Sequence, residues 1–323
     1  RKNGADAAAL EVSSHALDQG RVDAVRFRIA AFTNLSRDHL DYHGDMDAYG
    51  RAKRRLFAVP GLQWAIANTD DEFGARMLAA ARPGACTLAV GRDASTQAVD
   101  RYLAIEAVRT LPDGLHVSLG GDWGGVHMRS PLLGRFNAEN LSLALAVLLA
   151  MEVDADAAAQ ALAGVEAPPG RMELFRAGPD GPAIVVDYAH TPDALAKAIS
   201  ATREHFAGRV ATVFGCGGDR DRGKRAQMGR AAEAASDVVV VTDDNPRKED
   251  GDAIVADILQ GMEARPLIER DRAAAIEHAW SLAAPGDVVL VAGKGHEDYQ
   301  IVGDEQRPFS DRAVALRLLG GDA

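Results

Sequence analysis

The second half of the chain constrains the fold most, because short β-branched runs and Ala-rich helical stretches alternate there. Ala183–Asp187 reads as a strand leading to a helix at Pro192–His205, and Val210–Phe214 leads in the same way to Lys224–Ala235. Val238–Thr242 leads to Asp252–Met262, and a helix at Ala273–Leu282 precedes the strand Val288–Ala292. Repeated strand–helix alternation predicts an α/β domain, with a parallel sheet carrying helices on both faces. Ligands of such sheets sit beyond the carboxyl ends of the strands. Each predicted strand here ends in a polar loop: Asp187–Pro192, Gly215–Arg225, Asp243–Arg247 and Gly293–Asp298. One or two polar loops are ordinary in an α/β protein, whereas all of them on one edge predict a shared pocket.

The first half reads differently. Ala7–Val12 and Ile29–Thr33 are expected as strands, Asp45–Phe57 as a helix and Trp64–Asn68 as a further strand. Tyr102–Arg109, Leu115–Leu119 and Val126–Arg129 suggest an antiparallel meander, with turns at Pro112-Asp113-Gly114 and Gly120-Gly121. Helices follow at Asn137–Ala150 and Asp154–Ala163. Pro168, Pro169 and Gly170 cluster between periodic segments and mark a linker. With 323 residues, two domains are expected, at 1–168 and 169–323. The opening Arg1-Lys2-Asn3-Gly4 runs almost at once into an apolar stretch, which reads as entry into the middle of a domain, so an upstream portion is expected.

Composition narrows the function. A net charge of −11 disfavours a nucleic-acid partner, because phosphate binding needs a basic face. No apolar run reaches the roughly 18 residues of a membrane span. Cys86 and Cys216 form no disulfide framework and no Cys-based zinc pattern, so a cytoplasmic, reducing setting is expected.

Gly218 to Lys224 spells GxxxxGK, but Arg225 follows where a phosphate loop needs Ser or Thr for magnesium, so a Walker A site is rejected. The loop still suits an anion through Arg220, Arg222, Lys224 and Arg225, the bland reading being a solvated charge run. In the first half, a carboxylate in Glu11–His15 and a histidine in Thr33–Gly44 follow neighbouring predicted strands and could share a divalent ion. A lone His in such a loop is more often structural. Lys53, beside Arg51, Arg54 and Arg55, reads by itself as part of a solvated helix face.

Taken together, the strings EVSSHAL, TNLSRDHLDYHGDM, GRFNAENL, PPGRMELF, VVDYAHTPDAL, FGCGGDRDRGKR, VTDDNPR and VLVAGKGHEDYQIV resemble the Mur ligase family along nearly the whole chain. The resemblance implies a truncated central ATPase domain, mostly a parallel sheet plus a small antiparallel meander, followed by a Rossmann-like C-terminal domain. The family's phosphate loop is expected upstream of Glu11, so the 323 residues alone are expected to show no turnover. The implied activity is ATP-dependent amide-bond formation through an acyl phosphate, adding meso-2,6-diaminopimelate to UDP-MurNAc-L-Ala-D-Glu in peptidoglycan synthesis. ATP is the co-substrate, magnesium the cofactor, and a monomer is expected.

The resemblance also implies site residues. Glu11 and His39 would bind magnesium, and Lys53 would bind it through a carbamate, with Lys53 and His39 as the catalytic residues. Ser13, Gln19 and Arg21 would hold the UDP-muramoyl dipeptide. Asn137, Asn140, Arg171, Asp187 and His190 would form the nucleotide site. Arg220, Asp244, Asn245, Pro246, Arg247, Gly293 and Glu297 would bind diaminopimelate. Alternatives are a lysine-adding relative and a non-catalytic amino-acid- or nucleotide-binding piece. Arg247 favours diaminopimelate, whose second carboxylate a guanidinium can fork. The bland reading of Arg247 is a cap on Glu249-Asp250.

Overall fold

The structure is a computed structural model describing residues 4–36, 39–176, 178 and 181–320. Arg1, Lys2 and Asn3 of the opening stretch, and Arg37 and Asp38 of the Thr33–Gly44 loop, lie outside the described residues. The chain divides into two compact units. The first holds Arg1–Val108, Val117–Met128 and Ala138–Leu162, and the second holds Arg109–His116, Arg129–Asn137 and Ala163–Ala323.

In the first half of the chain, α1 (Ser14–Asp18) and β1 (Ile29–Phe32) precede α2 (Leu40–His43) and α3 (Met46–Arg54). β2 (Trp64–Asn68), α4 (Gly74–Leu78) and β3 (Cys86–Gly91) follow, then β4 (Arg101–Leu111), β5 (Gly114–Gly121) and β6 (Val126–Ser130). The six strands form one sheet in sequential order, with β1 to β4 parallel. Helices α5 (Arg135–Ala150) and α6 (Ala155–Ala163) close this half. Asp45 starts α3 by accepting the Ala48 N–H at 2.6 Å, satisfying one orphan donor of the first turn. Phe57, Ala65, Ala67 and Met77 are buried in the core beneath it.

The expected strand at Ala7–Val12 does not form. Gly4 to Glu11 are exposed and outside any sheet. Ala is a poor strand former, so its apolar character alone misled the reading. Ser13 instead caps α1, accepting the Ala16 N–H at 3.1 Å. The strand β3 escaped the reading because only Leu88-Ala89-Val90 of it is apolar and buried.

In the second half, β7 (Glu173–Arg176) and β8 (Ala183–Asp187) lead to α7 (Pro192–His205), β9 (Val210–Phe214) and α8 (Gly223–Ala235). β10 (Val238–Val241), α9 (Gly251–Leu259), β11 (Leu267–Ile268), α10 (Arg272–Ser281) and β12 (Val288–Ala292) follow. The chain ends with a hairpin of β13 (Tyr299–Val302) and β14 (Glu305–Pro308), then α11 (Asp311–Leu318). The sheet order is β11-β10-β9-β12-β8-β7, parallel except for β7. Side chains alternate across it, as the pleat requires. Val185 and Leu290 pack with Leu195, Met228 and Ile254 of α7, α8 and α9. Ile184, Val186, Val289 and Val291 pack with Ile276 and Val314 of α10 and α11. Both faces are therefore covered, as the alternation predicted.

Leu290 sits fully buried in β12 with strand neighbours on both sides. Leu290→Ala is expected to cost about 2–5 kcal/mol in urea unfolding, through lost burial and a residual cavity. Leu267→Ala, on the exposed edge strand β11, should stay within about 0.5 kcal/mol of the parent. Equal effects at both positions would contradict this core.

Candidate functional site

In the first unit, the residues proposed for phosphoryl chemistry gather around α1, α2 and α3. The Lys53 Nζ donates to the Val12 carbonyl at 3.3 Å. Burial pushes its ammonium below the usual lysine range, partly opposed by the charge of Glu11. An amine so lowered is more often neutral, which is the form that can take up carbon dioxide. His39 caps α2 in the left-handed region, at φ 55°. Its ring meets His15 edge-on, with 4.9 Å between centroids. Among the described residues no group of three or more His, Cys, Asp and Glu side chains is arranged to hold a metal. Glu11 and Lys53 interact electrostatically, and a carbamate on Lys53 would supply the missing oxygen donors.

Ser13 is engaged as the α1 cap, and Arg21 is exposed. Gln19 Nε2 lies 3.4 Å from the Tyr42 hydroxyl, which donates to Asp18 at 2.8 Å. Asp18, Tyr42, His43, Arg51 and Arg55 line a cavity of about 400 Å³. His43 stacks on Tyr49 and shares a 2.9 Å hydrogen bond with Ser14. Burial and the neighbouring His15 keep its imidazole below the usual histidine range. Asn140 is exposed on α5.

In the second unit the polar loops meet at the carboxyl ends of β8, β9, β10 and β12. The Gly218 N–H donates to the Asn245 carbonyl at 2.9 Å, tying the β9 loop to the β10 loop. A Cβ on Gly218 would lie 1.9 Å from the Pro246 carbonyl oxygen, so only glycine permits this approach. The Lys224 ammonium donates to the His190 carbonyl at 2.7 Å, joining the β8 and β9 loops. The β12 loop reaches the β10 loop where Lys294 and Glu297 both bond Asn245.

These contacts sort the proposed residues. Asp187 accepts the Met172 and Ala189 N–H groups, each at 2.8 Å, so its carboxylate staples backbone. Burial nonetheless raises its pKa. Arg171 lies over the Tyr188 ring at 4.8 Å, and the His190 and His296 rings also contact Tyr188. Asn137 donates to the Leu133 carbonyl at 2.8 Å in the first turn of α5. His205 holds the approach to that turn: its Nε2 accepts the Gly134 N–H at 2.8 Å and its Nδ1 faces the Leu111 carbonyl at 2.6 Å.

The anion-loop reading needs correction. Arg225 is fully buried and donates to Glu249, Asp257 and the Gly217 carbonyl. Arg222 pairs with Glu249, and Lys224 is engaged as above. Of the four cations only Arg220 is exposed without an ion pair among the described residues. A cation at the start of a helix looks ligand-facing in sequence, whereas burial commits Arg225 to carboxylates. The bland reading of Arg247 also fails, because Glu249 is held by Arg225 and Arg222. Arg247 instead donates from Nη1 to the Gly218 carbonyl at 2.8 Å, with φ 52°. Arg220 and Arg247 both approach Gly217.

Asp244 is almost fully buried beside Gly293, where an added Cβ would meet its Oδ2 at 2.7 Å. Burial raises its pKa, opposed by the charge of Arg272. Arg272 and Asp311 form a fully buried bidentate pair, with both bonds at 2.8 Å. Sequence reasoning missed Arg272 and Lys294. A lysine between two glycines directly after an all-apolar strand, with Glu297 three residues on, was the available signal for Lys294.

The Mur ligase middle domain matches residues 1–148, and the Mur ligase glutamate ligase domain matches residues 170–295. A UDP-N-acetylmuramoyl-L-alanyl-D-glutamate–2,6-diaminopimelate ligase from Alkalilimnicola ehrlichii is 51% identical over 321 residues, covering 99% of this chain and 64% of the relative. The ligase of the same name from Vibrio vulnificus is 47% identical over 322 residues, with the same coverage. The chain thus spans 64% of the length of these relatives. A solved structure bearing that ligase name is 39% identical, with a TM-score of 0.75, covering 99% of this chain and 65% of the other. Mycobacterium tuberculosis folylpolyglutamate synthase shares the fold, at 23% identity and a TM-score of 0.64, over 93% of this chain and 65% of the other.

Glu249 gives the loop anchor a pH signature. Hydrogen bonds from Arg225 and from the Asp219 N–H lower its pKa from 4.5 to about 2. A carboxyl depressed in the folded state contributes stability above its unfolded pKa and loses it as pH falls through the folded value. Glu249→Gln is therefore expected to lower stability at pH 7 and to flatten the decline between pH 4.5 and about 2. Chemical denaturation along that pH series checks it, and an unchanged slope would contradict the anchor.

Proposed function

Since this chain belongs to the Mur ligase family, we propose that it supplies the catalytic middle and amino-acid-binding domains of an ATP-dependent ligase joining meso-2,6-diaminopimelate to UDP-MurNAc-L-Ala-D-Glu. The observation that carries the choice of amino acid is the loop cluster of the second unit. The Arg247 guanidinium and the stem of the exposed Arg220 side chain both come up to Gly217, and Glu297 is held at the next loop. Two guanidiniums suit a substrate with two carboxylates, and a carboxylate suits its ammonium. Lysine has one carboxylate and would leave one guanidinium unmatched, which disfavours the lysine-adding alternative.

The reaction proceeds by acyl activation. The γ-phosphate of ATP passes to the D-glutamate γ-carboxylate, giving ADP and an acyl phosphate. A neutral amine of diaminopimelate attacks the acyl carbon, phosphate leaves, and the amine loses a proton as the amide forms. Magnesium, when bound, offsets repulsion between the phosphate and the carboxylate. Glu11, His39 and a carbamate on Lys53 would hold it. Ser13, Gln19 and Arg21 would hold the UDP-linked substrate, and Asn137, Asn140, Arg171, Asp187 and His190 the nucleotide. Both nucleotide substrates put the reaction in the cytoplasm. No helix of the described residues is long and apolar enough to cross a membrane.

The test is amino-acid-dependent phosphate release by the whole protein containing this chain, with each acceptor supplied in turn. Diaminopimelate-dependent release supports the reading. Nucleotide or amino-acid binding without release would favour the non-catalytic alternative.

Two variants extend the test. Arg247→Ala should lower kcat/KM for diaminopimelate about ten- to a hundredfold, the worth of a charged hydrogen bond of roughly 1.5–3 kcal/mol, and should affect lysine far less. Equal losses for both would leave Arg247 a structural residue. Lys53→Ala should lose most activity, without rescue by bicarbonate, and should lack the carbamate carbon resonance that ¹³C-bicarbonate gives the parent. Near-parental turnover would remove Lys53 from the mechanism.

A further inference from the structure

Lys294 is a fully buried cation for which neither the loop motif nor the reaction gives a role. Its Nζ lies 3.0 Å from Asn245 Oδ1 and 3.0 Å from Glu297 Oε2. The Tyr299 ring centroid lies 5.6 Å from the same ammonium. Asn245 Nδ2 donates to the same Glu297 oxygen at 3.1 Å, and Asn245 Oδ1 also accepts the Ile301 N–H at 2.9 Å. Asn245 is itself buried, and its amide is taken on both sides. Its Oδ1 is filled by two donors and one Nδ2 hydrogen is spent on Glu297, so a single amide N–H remains. Glu297 is different: Oε2 takes both donors, and Oε1 takes no hydrogen bond from a described residue.

We infer that Lys294 is the positioning residue of the amino-acid site, locking Asn245 and Glu297 Oε2 together so that Glu297 Oε1 alone is presented to the ammonium of the incoming amino acid. This rests on the proposed reading of the loop cluster as that site. It also divides the labour within the cluster. Asn245 becomes part of the lock, and Glu297 the group that touches substrate. A lysine suits the task because its ammonium offers three donors from one atom, and here it meets two acceptors and an aromatic face. Burial removes competing water from those contacts.

A residue that acts through another has a recognisable signature: its loss matters only while the other is present. Titration calorimetry with meso-2,6-diaminopimelate and with ADP, on the whole protein, reads it out. Lys294→Met is expected to weaken diaminopimelate binding at least tenfold and to leave ADP binding within twofold. In steady state the loss should appear in KM for diaminopimelate, with KM for ATP unchanged. Glu297→Gln should weaken the amino acid by a similar factor. The double variant Lys294→Met/Glu297→Gln should be no weaker than Glu297→Gln alone, because the groups form one unit. It also replaces the charged pair by neutral groups, so it keeps the test open if Lys294→Met fails to fold. Lys294→Arg should recover part of the binding.

Additive losses in the double variant, or equal losses for diaminopimelate and ADP, would overturn the positioning role. Lys294→Met binding diaminopimelate as the parent does would overturn it too. Failure of the underlying site reading looks different: the parent protein itself would bind no diaminopimelate, and no Lys294 variant would be needed to see it.

Discussion

Three fully buried cations at the carboxyl end of the second sheet govern the loops around them: Arg225, Arg272 and Lys294. Taking such a charge out of water costs several kcal/mol, and only close partners with good geometry offset it. Each of these cations has them. Arg225 binds Glu249 and Asp257, Arg272 binds Asp311, and Lys294 binds Glu297 and Asn245. The partners come from other parts of the chain, so satisfying each cation dictates where a distant loop must lie. The β9 loop is fastened to the segment before α9, α10 to α11, and the β12 loop to the β10 loop. The apolar sheet sets where the strands end, and the charges set what the loops do beyond that point.

This commitment decides which polar groups remain to meet a ligand. Most cations and carboxylates of the loops are consumed internally: Arg222, Lys224, Arg225 and Arg270 among the cations, and Asp187, Asp243 and Glu249 among the anions. Among the described residues, Arg220, the rest of the Arg247 guanidinium and one oxygen of Glu297 are among the groups left without such a partner. A site that is acidic or basic by composition can thus be selective, because the residue types present count for less than those left unpaired.

The sheet of the second half was legible because five-residue runs such as Val210-Ala211-Thr212-Val213-Phe214, buried on both faces, admit few other structures. Polar loops at strand ends were legible as a set for the same reason. Pairing was not legible. Nothing local distinguishes Arg225, which is buried, from Arg222, whose side chain is 70% exposed: both pair with Glu249, and only Arg225 also reaches Asp257, well along the chain. In the first half, Ala7–Val12 failed because hydrophobicity without a neighbouring strand makes no sheet. The β13–β14 hairpin was hidden because its residues are only half-buried or exposed, and the short β7 because Phe175 alone of its four residues is buried, so neither shows a clean alternation. The family resemblance reached Lys53 and Arg247, which their local surroundings alone would not have singled out.

The same physics explains why a charge, and not an apolar side chain, stands beneath the β10 and β12 loops. A leucine at 294 would avoid desolvating an ammonium, and buried ion pairs replaced by packed apolar groups often lose no stability. What a leucine cannot do is choose a rotamer for Glu297 or orient an amide at Asn245. Dispersion contacts fill space without preferring one polar arrangement, whereas an ammonium with two acceptors at 3.0 Å admits essentially one. The Asn245 Oδ1 is fixed from a second side by the Ile301 N–H, so the amide cannot flip without losing both donors. Stability and geometry are therefore separate demands at this position, and the buried lysine serves the second.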